Sequence, residues 1–248
     1  MDRFLDATYL AEQSHFWFRG LEWFSQPLLE RAVAGVDRPR ILDCGFGTGA
    51  NMARLSRLGQ VSGFDLSVGG VEYARRYGQT RLARASITAI PFADATFDLV
   101  TAFDVLACLE EAQIKDALSE VLRVLRPGGA FFLNTAALTI LRGSHAVFGQ
   151  EVHRASRASL RRALVSHGFR VERLTYTNCS LFPLMLVVRT SQRLLGLSSP
   201  EESGADIVVP PGIVNGPLTA LLSLEARALR VIDMPLGSSL MALAFKPR

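Results

Sequence analysis

Glycines and acids in the first third of the sequence have the types and spacing of a cofactor site. Gly45, Gly47 and Gly49 follow an apolar run, and Asp65 stands twenty residues after Gly45, at the end of the next apolar run. Glycine allows a positive φ and lets a ligand approach a backbone that carries no Cβ. A carboxylate at the position of Asp65 can accept hydrogen bonds from both hydroxyls of a ribose. Together, these residues predict a site for a cofactor that contains a nucleoside.

The glycine loop alone leaves the identity of the cofactor open. Gly45, Gly47 and Ala50 also fit the GxGxxG/A fingerprint of dinucleotide-binding proteins, so an NAD(P)-dependent oxidoreductase is one alternative. A tight strand-to-helix turn without a ligand is another. Asp43, however, places a negative charge two residues before the first glycine, where it would repel the pyrophosphate of NAD. A carboxylate suits a cation, such as the amino group of a methionine moiety beside a sulfonium, so charge complementarity favours S-adenosylmethionine.

The elements that must position these residues follow an alternating pattern. Short runs rich in Val, Ile and Phe are typical of β-strands, and the segments between them have the periodicity of helices. Parallel strands need such crossovers, so the alternation predicts an α/β fold. We expect strands at 40–44, 60–65, 81–85, 97–103, 130–134, 170–176 and 239–245. We expect helices at about 49–58, 68–77, 111–125, 156–167, 181–195 and 218–231.

The length of 248 residues and the hydrophobic content of 49% are sufficient for one large domain, 1–248, with appended helices. We divide it into an N-terminal helical lid (1–38), a cofactor-binding core (39–179 and 234–248) and a helical cap inserted before the last strand (180–233). A loop from Ser198 to Pro217 separates the two helices of the cap. The apolar residues of the cap are expected to form core, a homodimer interface or a cover over a hydrophobic acceptor.

The composition limits which binding partners and which cellular compartment we expect for this protein. The net charge is only +4 and no long basic run occurs, so we expect no nucleic-acid partner. Asp2 and Asp6 interrupt the N-terminal apolar residues, and the longest apolar stretch, 181–188, is too short to span a bilayer, which predicts a cytoplasmic protein without a transmembrane segment. The three cysteines lie far apart, which argues against disulfides and a metal site and predicts three buried thiols.

Four segments in order resemble the motifs of class I S-adenosylmethionine-dependent methyltransferases. They are Asp43-Cys44-Gly45-Phe46-Gly47-Thr48-Gly49, the stretch AIPFADATFDLV at 89–100, Asp104-Val105-Leu106, and the stretch LRVLRPGG at 122–129. The sequence HFWFR at 15–19 further resembles a bacterial subgroup that methylates small molecules. The resemblance implies a Rossmann-like, mostly parallel seven-stranded sheet whose last strand is antiparallel. It also implies methyl transfer from S-adenosylmethionine to a small-molecule acceptor, which leaves S-adenosylhomocysteine.

The same resemblance implies which residues contact the cofactor. They are Asp43, Gly45, Phe46, Gly47 and Gly49 at the first strand, Asp65 and Leu66 at the second, Ser86 and Ile87 at the third, and Phe103 and Asp104 at the fourth. Asp65 is expected to bind the ribose hydroxyls and Leu66 to pack on the adenine. Ser86 stands where the family usually has Asp, and Cys108 stands where many relatives have His. These two departures motivate a third alternative, a non-catalytic relative that binds the cofactor.

Arg19 and Trp17 are candidates for a lid over the cofactor. Arginine pairs with carboxylates in a bidentate manner, and free S-adenosylmethionine has a carboxylate. The neighbouring aromatic rings would attract the sulfonium cation. The alternative is that Phe16, Trp17 and Phe18 form a helical core stripe and Arg19 a surface charge.

A base is needed only if the acceptor is protonated, and the candidates are few. His145 and His153 follow the fifth strand, on the side where an acceptor would bind, although a histidine in a loop is usually solvated. Tyr176, Asn178 and Glu225 could also point into the site.

Overall fold

The computed structural model describes residues 2–138, 152–194 and 208–248. Its strands are β1 (Arg40–Cys44), β2 (Gln60–Asp65), β3 (Leu82–Arg84), β4 (Phe97–Phe103), β5 (Leu125–Ala136), β6 (Arg170–Thr177) and β7 (Ser239–Phe245). They form one sheet in the order β3-β2-β1-β4-β5-β7-β6. Strands β1 to β5 pair in parallel, and β7 pairs antiparallel with β5 and β6. This arrangement confirms the predicted Rossmann-like, mostly parallel seven-stranded sheet.

Helices cover both faces of the sheet. They are α1 (Asp2–Ala11), α2 (Phe16–Ala32), α3 (Ala50–Leu55), α4 (Val68–Arg76), α5 (Glu111–Val124), α6 (Arg157–Ser166), α7 (Phe182–Leu194) and α8 (Gly212–Ala228). One face packs against α5 and α6, and the other packs against α2, α3 and α8. Because the central strands are buried on both faces, their sequences are nearly continuous apolar runs. Ile41 and Leu42 of β1 are both fully buried, on opposite faces.

The sheet brings the ends of six strands to one edge. Because β7 runs antiparallel to both β5 and β6, β6 runs in the same direction as the parallel strands. The residues that follow β1 to β6 therefore lie along the carboxyl edge of the sheet. Ligands of open α/β sheets bind at this edge. The predicted cofactor residues Gly45, Leu66 and Asp104 are all at this edge.

The second cap helix begins earlier than predicted. Its first residue is Gly212, whereas Gly216 and Pro217 indicated a loop as far as Pro217. The side chain of Asn215 accepts a hydrogen bond from the Phe16 amide and donates one to the Ser14 carbonyl, both at 2.9 Å. This contact anchors the first turn of α8 to the start of α2. A tertiary contact therefore outweighs the low helix propensity of glycine and proline.

The prediction of three buried thiols is wrong for two of them. Cys44 is buried in β1, but Cys108 is exposed and Cys179 is only partly buried. Cys108 ends a short 3-10 turn after β4, where the chain leaves the carboxyl edge of the sheet, and its Sγ lies 3.7 Å from the Asp104 carbonyl. Its position between β4 and α5 accounts for the exposure.

In the described part of the chain, every helix is too short or too polar to cross a bilayer.

Candidate functional site

Two glycines of the loop after β1 are required by packing. Gly45 and Gly49 have φ values of +71° and +87°, which side chains rarely adopt. A Cβ on Gly49 would lie 2.7 Å from the Cα of Ala74 in α4, and a Cβ on Gly45 would lie 2.5 Å from a methyl group of Val105. The loop can therefore pass between α4 and the residues after β4 only if these positions carry no side chain.

Gly47, between them, faces open space. Its φ is +55°, and a Cβ built on it would meet nothing closer than a methyl group of Leu5 at 4.0 Å. The space beside its Cα lies between the loop and α1. A backbone exposed in this way can be approached closely by a ligand.

Asp65 is held against the glycine loop by two backbone amides. Its Oδ2 accepts from the Gly47 amide and its Oδ1 from the Ser67 amide, each at 2.8 Å. Each carboxylate oxygen has two lone pairs, so both oxygens keep acceptor capacity after these bonds. The orientation that the amides impose leaves a half-buried carboxylate at the edge of the loop.

Asp43 is a buried acid with one unpartnered oxygen. Its side chain is 1% exposed, and its Oδ1 accepts from the Thr101 hydroxyl at 2.7 Å. Its Oδ2 is buried and has no hydrogen-bond partner. Burial raises the pKa of Asp43 to about 7; the hydrogen bond from Thr101 opposes this shift and the charge of Asp65 adds to it. A cation beside Oδ2 would satisfy the orphaned oxygen and stabilise the ionised form.

Glu12, which sequence reasoning missed, fastens α1 over the glycine loop. This buried carboxylate, in the turn after α1, accepts from the Thr48 hydroxyl and from the Tyr77 hydroxyl, both at 2.7 Å. Burial raises the pKa of Glu12, and the two hydrogen bonds act in the opposite direction. The three residues lie 36 and 65 positions apart in the chain, so no local motif could have indicated the contact.

A cluster of aromatic rings stabilises the packing of α1 against α4. The ring of Tyr9 lies 4.7 Å from that of Tyr73 and 5.6 Å from that of Tyr77. The guanidinium of Arg76 lies 4.9 Å from the Tyr73 ring centroid, within the range of a cation–π contact. The Tyr73 hydroxyl also donates to Asp6. Contacts from the middle and the C-terminal end of α1 therefore hold it beside the cofactor loop.

Residues 15–19 build the start of α2. His15 is the buried N-cap, and its Nδ1 accepts from the Trp17 amide at 3.1 Å. The His15 ring stacks on Phe16 at 4.5 Å. Arg19 is exposed, and its guanidinium lies 5.5 Å from the Trp23 ring. The lid role of Arg19 and Trp17 stays a prediction.

The residues predicted to contact the adenine lie after β2 and β3. Leu66 is 59% exposed directly after Asp65, which leaves an apolar surface at the edge of the sheet. Ser86 forms a turn in which its hydroxyl lies 2.8 Å from that of Thr88, and Ile87 is buried. The Ser86 hydroxyl also accepts from the Thr88 amide at 3.2 Å. Part of the hydrogen-bonding capacity of Ser86 is therefore used within its own turn.

The end of β4 carries Phe103 and Asp104. The Phe103 ring packs 5.3 Å from that of Phe132. Asp104 has a φ of +59°, its amide donates to the Asn134 carbonyl at 2.9 Å, and its Oδ1 accepts from the Asn134 side-chain amide at 2.8 Å. Asn134 therefore fixes the direction of an exposed carboxylate at the carboxyl edge.

His153 contacts the turn that follows β4. The amides of Val152 and His153 both donate to the Ala107 carbonyl, at 2.8 and 2.9 Å. His153 is half-buried. The contact places the backbone of His153 next to the turn that carries Cys108, and Ala107 in this turn is three positions after Asp104. His145 lies outside the described residues.

Two other candidate residues, Glu225 and Tyr176, make contacts that stabilise the fold. Glu225 is buried and accepts from the amides of Cys179 and Ser180, each at 2.9 Å, so its carboxylate holds the turn before α7. Each of its two oxygens accepts from one of these backbone amides, so the contacts of Glu225 are structural. The Tyr176 hydroxyl accepts from the Arg157 amide at 3.3 Å and so supports the start of α6.

Several polar atoms near the carboxyl ends of β5 and β6 and just before β7 have no partner. These atoms are buried and make no hydrogen bond. They are Asn134 Oδ1, Thr135 Oγ1, Ser238 Oγ, Thr177 Oγ1 and Asn178 Oδ1. Each such group costs about 1–3 kcal/mol when it is left unsatisfied in a folded protein. A buried polar group without a protein partner calls for an explanation, and a bound ligand or an ordered water is one. Among the described residues, no group of three or more His, Cys, Asp or Glu side chains could hold a metal ion.

A doubly wound α/β sheet with a glycine loop after its first strand and an acid after its second is the architecture of nucleoside-cofactor enzymes. Residues 42–133 match the family model described as a methyltransferase domain.

Individual proteins with sequences similar to this chain are also named as methyltransferases. A protein of Mycolicibacterium smegmatis named as a probable S-adenosylmethionine-dependent methyltransferase is 37% identical over 131 residues, which cover 51% of this chain and 47% of the relative. The demethylmenaquinone methyltransferase of Clavibacter sepedonicus is 42% identical over 104 residues, 40% of this chain and 42% of the relative. The chain thus spans less than half the length of these relatives.

The same fold occurs in a solved structure. Geranyl diphosphate C-methyltransferase from Streptomyces coelicolor superposes with a TM-score of 0.58 and 15% identity over 89% of this chain and 77% of that one. At this identity the likeness concerns the fold alone.

Proposed function

We propose that the protein transfers a methyl group from S-adenosylmethionine to a small-molecule acceptor. The observation that carries the proposal is the buried, unpartnered Oδ2 of Asp43, close to the glycine loop that Asp65 holds in place. An ionised carboxylate here attracts a cation and repels a pyrophosphate, and a bound cation in turn favours the ionised form of Asp43. It therefore favours S-adenosylmethionine over NAD(P), the alternative that the glycine pattern left open.

The residues present fit this cofactor. Asp65 would bind the ribose hydroxyls, the open backbone at Gly47 would face the ligand, and Leu66 would pack on the adenine. Asp43 would balance the positive charge of the methionine moiety. When bound, the cofactor supplies an electrophilic methyl group on a sulfonium. The contribution of the protein is to align the acceptor and to exclude water.

The acceptor would lie along the unpartnered atoms of β5, β7 and β6. Asn134 Oδ1 and Asn178 Oδ1 can only accept hydrogen bonds, and the Thr177 hydroxyl can do either. A hydroxyl or amide group of the acceptor would complement them. The similarity to a demethylmenaquinone methyltransferase supports an acceptor that also has an apolar part.

His153 is the described residue best placed to accept a proton from the acceptor. Its amide donates to the Ala107 carbonyl in the turn that follows β4 and Asp104. A neutral imidazole is a suitable base near neutral pH. His145 remains the second candidate for this role, and Arg19 and Trp17 remain candidates for the cofactor lid. The division into lid, core and cap belongs to the same proposal.

Transfer of tritium from S-adenosylmethionine labelled at the methyl group tests the proposal. The acceptors would be a panel of phenols, carboxylic acids, amines and isoprenoid quinols, and Asp65→Asn would be the control. We expect label in at least one acceptor class with the wild type and little with the variant. Binding of S-adenosylhomocysteine without transfer to any class would favour a non-catalytic relative. Binding of NADH instead would overturn the proposal.

A further inference from the structure

Asn134 is a polar residue in an apolar row of the sheet. In the register of the strands it lies between Phe103 of β4 and Met241 of β7. Both of these neighbours belong to the apolar side that packs against α2 and α8. Phe132, two residues earlier in β5, points to the same side, and so therefore does Asn134. Burial of a polar side chain among apolar ones is costly to the fold, so the presence of Asn134 calls for an explanation.

The side-chain amide of Asn134 has a fixed orientation. Its Nδ2 donates to Oδ1 of Asp104 at 2.8 Å. An ionised carboxylate can only accept hydrogen bonds, so the nitrogen of the amide, and not its oxygen, must face Asp104. The Oδ1 of Asn134 is directed elsewhere, is buried and has no hydrogen-bond partner. Asn134 is 2% exposed whereas Asp104 is exposed, so this oxygen lies behind a residue at the surface of the site.

The order of the strands places this oxygen beyond the proposed cofactor site. In that site Leu66 and Asp65, after β2, would contact the adenine and the ribose, and Asp43 of β1 the methionine moiety. Beyond β1 the sheet continues with β4 and then β5. The ends of these two strands, where Asp104 and Asn134 meet, are therefore left for the acceptor.

On the basis of the proposed function, we infer that Asn134 selects acceptors whose reacting group carries a hydrogen, a hydroxyl or an amino group and not a carboxylate. The amide oxygen only accepts hydrogen bonds, so an O–H or N–H of the acceptor would satisfy it. This bond would also fix the direction of the O–H or N–H and so orient the lone pair that attacks the methyl group. A carboxylate has no hydrogen to donate, and its negative oxygens would be repelled by the oxygen of Asn134.

Asn134 does not take up the proton of the acceptor. The acceptor oxygen or nitrogen forms the new bond to carbon, and the electron pair of the broken carbon–sulfur bond stays on sulfur. The proton that the acceptor loses passes to His153 or to water, since an amide oxygen is too weak a base to hold it near neutral pH. Asn134 is thus a residue of specificity and alignment.

Binding of matched acceptors to the complex of the protein with S-adenosylhomocysteine tests the inference without turnover. The probes, titrated by calorimetry, are para-alkylphenols, para-alkylanilines and the para-alkylbenzoates that carry the same alkyl groups. We expect the wild type to bind the phenols or the anilines about ten- to hundred-fold more tightly than the benzoates. Asn134→Leu should lose this preference, because its affinity for phenols and anilines falls while its affinity for benzoates does not. The ratio of kcat/KM values in the transfer assay should change in the same way.

Gln26→Leu is the matched control. Gln26 also donates from its side-chain amide to a carboxylate, that of Glu30, at 2.8 Å, but it lies in α2 and belongs to neither proposed site. This variant should keep the preference of the wild type. Binding of S-adenosylhomocysteine by both variants would show that the substitutions preserve the fold.

Three results would overturn the inference and leave the proposed function intact. One is tighter binding of the benzoates by the wild type, which would mean that a cation at this edge binds the acceptor; Arg154, which donates to the Ala137 carbonyl at 3.1 Å, would be that cation. The second is an unchanged preference in Asn134→Leu, and the third is no binding of any phenol or aniline. A wild type that fails to bind S-adenosylhomocysteine would overturn the proposed function, and the inference with it.

Discussion

The carboxylate of Asp65 accepts a hydrogen bond from the amide of Gly47 at 2.8 Å. This contact joins the end of β2 to the loop after β1, so the acid that would bind the ribose also orients the backbone that would face the rest of the cofactor. Its second oxygen is held by the Ser67 amide at the start of α4. Binding and loop geometry are therefore coupled through one side chain.

Asp65→Asn should separate the role of this acid from general stability. An asparagine has one acceptor oxygen, so either the Gly47 or the Ser67 amide would lose its partner. We expect the affinity for S-adenosylhomocysteine, measured by calorimetry, to fall about ten- to hundred-fold. Asp98→Asn is the matched control: Asp98 accepts from the Arg40 amide at 2.8 Å and pairs with Arg126 at the opposite edge of the sheet. Equal losses of affinity in both variants would contradict the coupling.

Two glycines of the same loop should respond differently to alanine. At Gly47 the new Cβ meets only Leu5 at 4.0 Å, so Gly47→Ala should cost about 1–2 kcal/mol of unfolding free energy for the left-handed backbone while blocking the cofactor. At Gly49 the Cβ would also clash with Ala74 at 2.7 Å, so Gly49→Ala should unfold more readily. Denaturant titration compares the unfolding free energies of the two variants. If Gly47→Ala were the less stable of the two, the conclusion that Gly49 is required by packing and that Gly47 faces open space would be wrong.

The buried Asp43 should make stability depend on pH. The pKa of this carboxyl is raised from 3.8 to about 7, so between those values the native protein keeps a proton that the unfolded chain has released. The contribution of Asp43 to stability therefore falls as the pH rises from about 4 to about 7. Asp43→Asn, which keeps the acceptor for Thr101, should lack this dependence and be more stable than the wild type above pH 7. It should also lose affinity for S-adenosylhomocysteine.

Thermal denaturation measures the expected gain in stability of Asp43→Asn, and calorimetry measures its expected loss of affinity for S-adenosylhomocysteine. If the stability difference between Asp43→Asn and the wild type is constant from pH 4 to pH 8, the carboxyl does not carry the proposed proton.

Glu12 should control the release of the cofactor. It fastens α1 through the hydroxyls of Thr48 and Tyr77, so Glu12→Ala should loosen α1 above the glycine loop. We expect S-adenosylhomocysteine to dissociate about ten-fold faster, the effect of losing a hydrogen bond to a charged group. Stopped-flow displacement measures the rate, and Glu30→Ala on α2, an exposed acid that binds Gln26, is the control. An unchanged rate in Glu12→Ala would show that α1 does not cover the ligand.

Two threonines of β6 should respond oppositely to valine. The Thr177 hydroxyl is buried without a partner, so Thr177→Val should raise the free energy of unfolding by about 1 kcal/mol. The Thr175 hydroxyl accepts from the Met234 amide at 2.9 Å, so Thr175→Val should lower it by about 1–3 kcal/mol. Thr177→Val should also weaken acceptor use in the transfer assay. A destabilised Thr177→Val would mean that its hydroxyl already has a partner.

Much of the sheet could be predicted from the sequence. Strands β1, β2, β4 and β7 have the predicted bounds, because each is an apolar run bounded by turn residues. The glycine loop and Asp65 could be placed together because parallel strands end at one edge.

What sequence reasoning missed depends on contacts between distant residues. The start of α8 follows from the hydrogen bond between Asn215 and Phe16, which are 199 positions apart. Glu12 reaches the glycine loop through the packing of α1 on α4, and no local pattern signals a contact of that kind. The orphaned atoms at Thr177 and Asn178 likewise depend on how β6 and β7 meet, which composition does not specify.

The central claim is that the edge formed by Asp43, Gly47 and Asp65 binds S-adenosylmethionine. Titration calorimetry of the wild-type protein with S-adenosylhomocysteine and, separately, with NADH tests it most directly. We predict saturable binding of one S-adenosylhomocysteine per chain, lost in Asp65→Asn, and no heat of binding with NADH. Saturable binding of NADH, with none of S-adenosylhomocysteine, would contradict the claim.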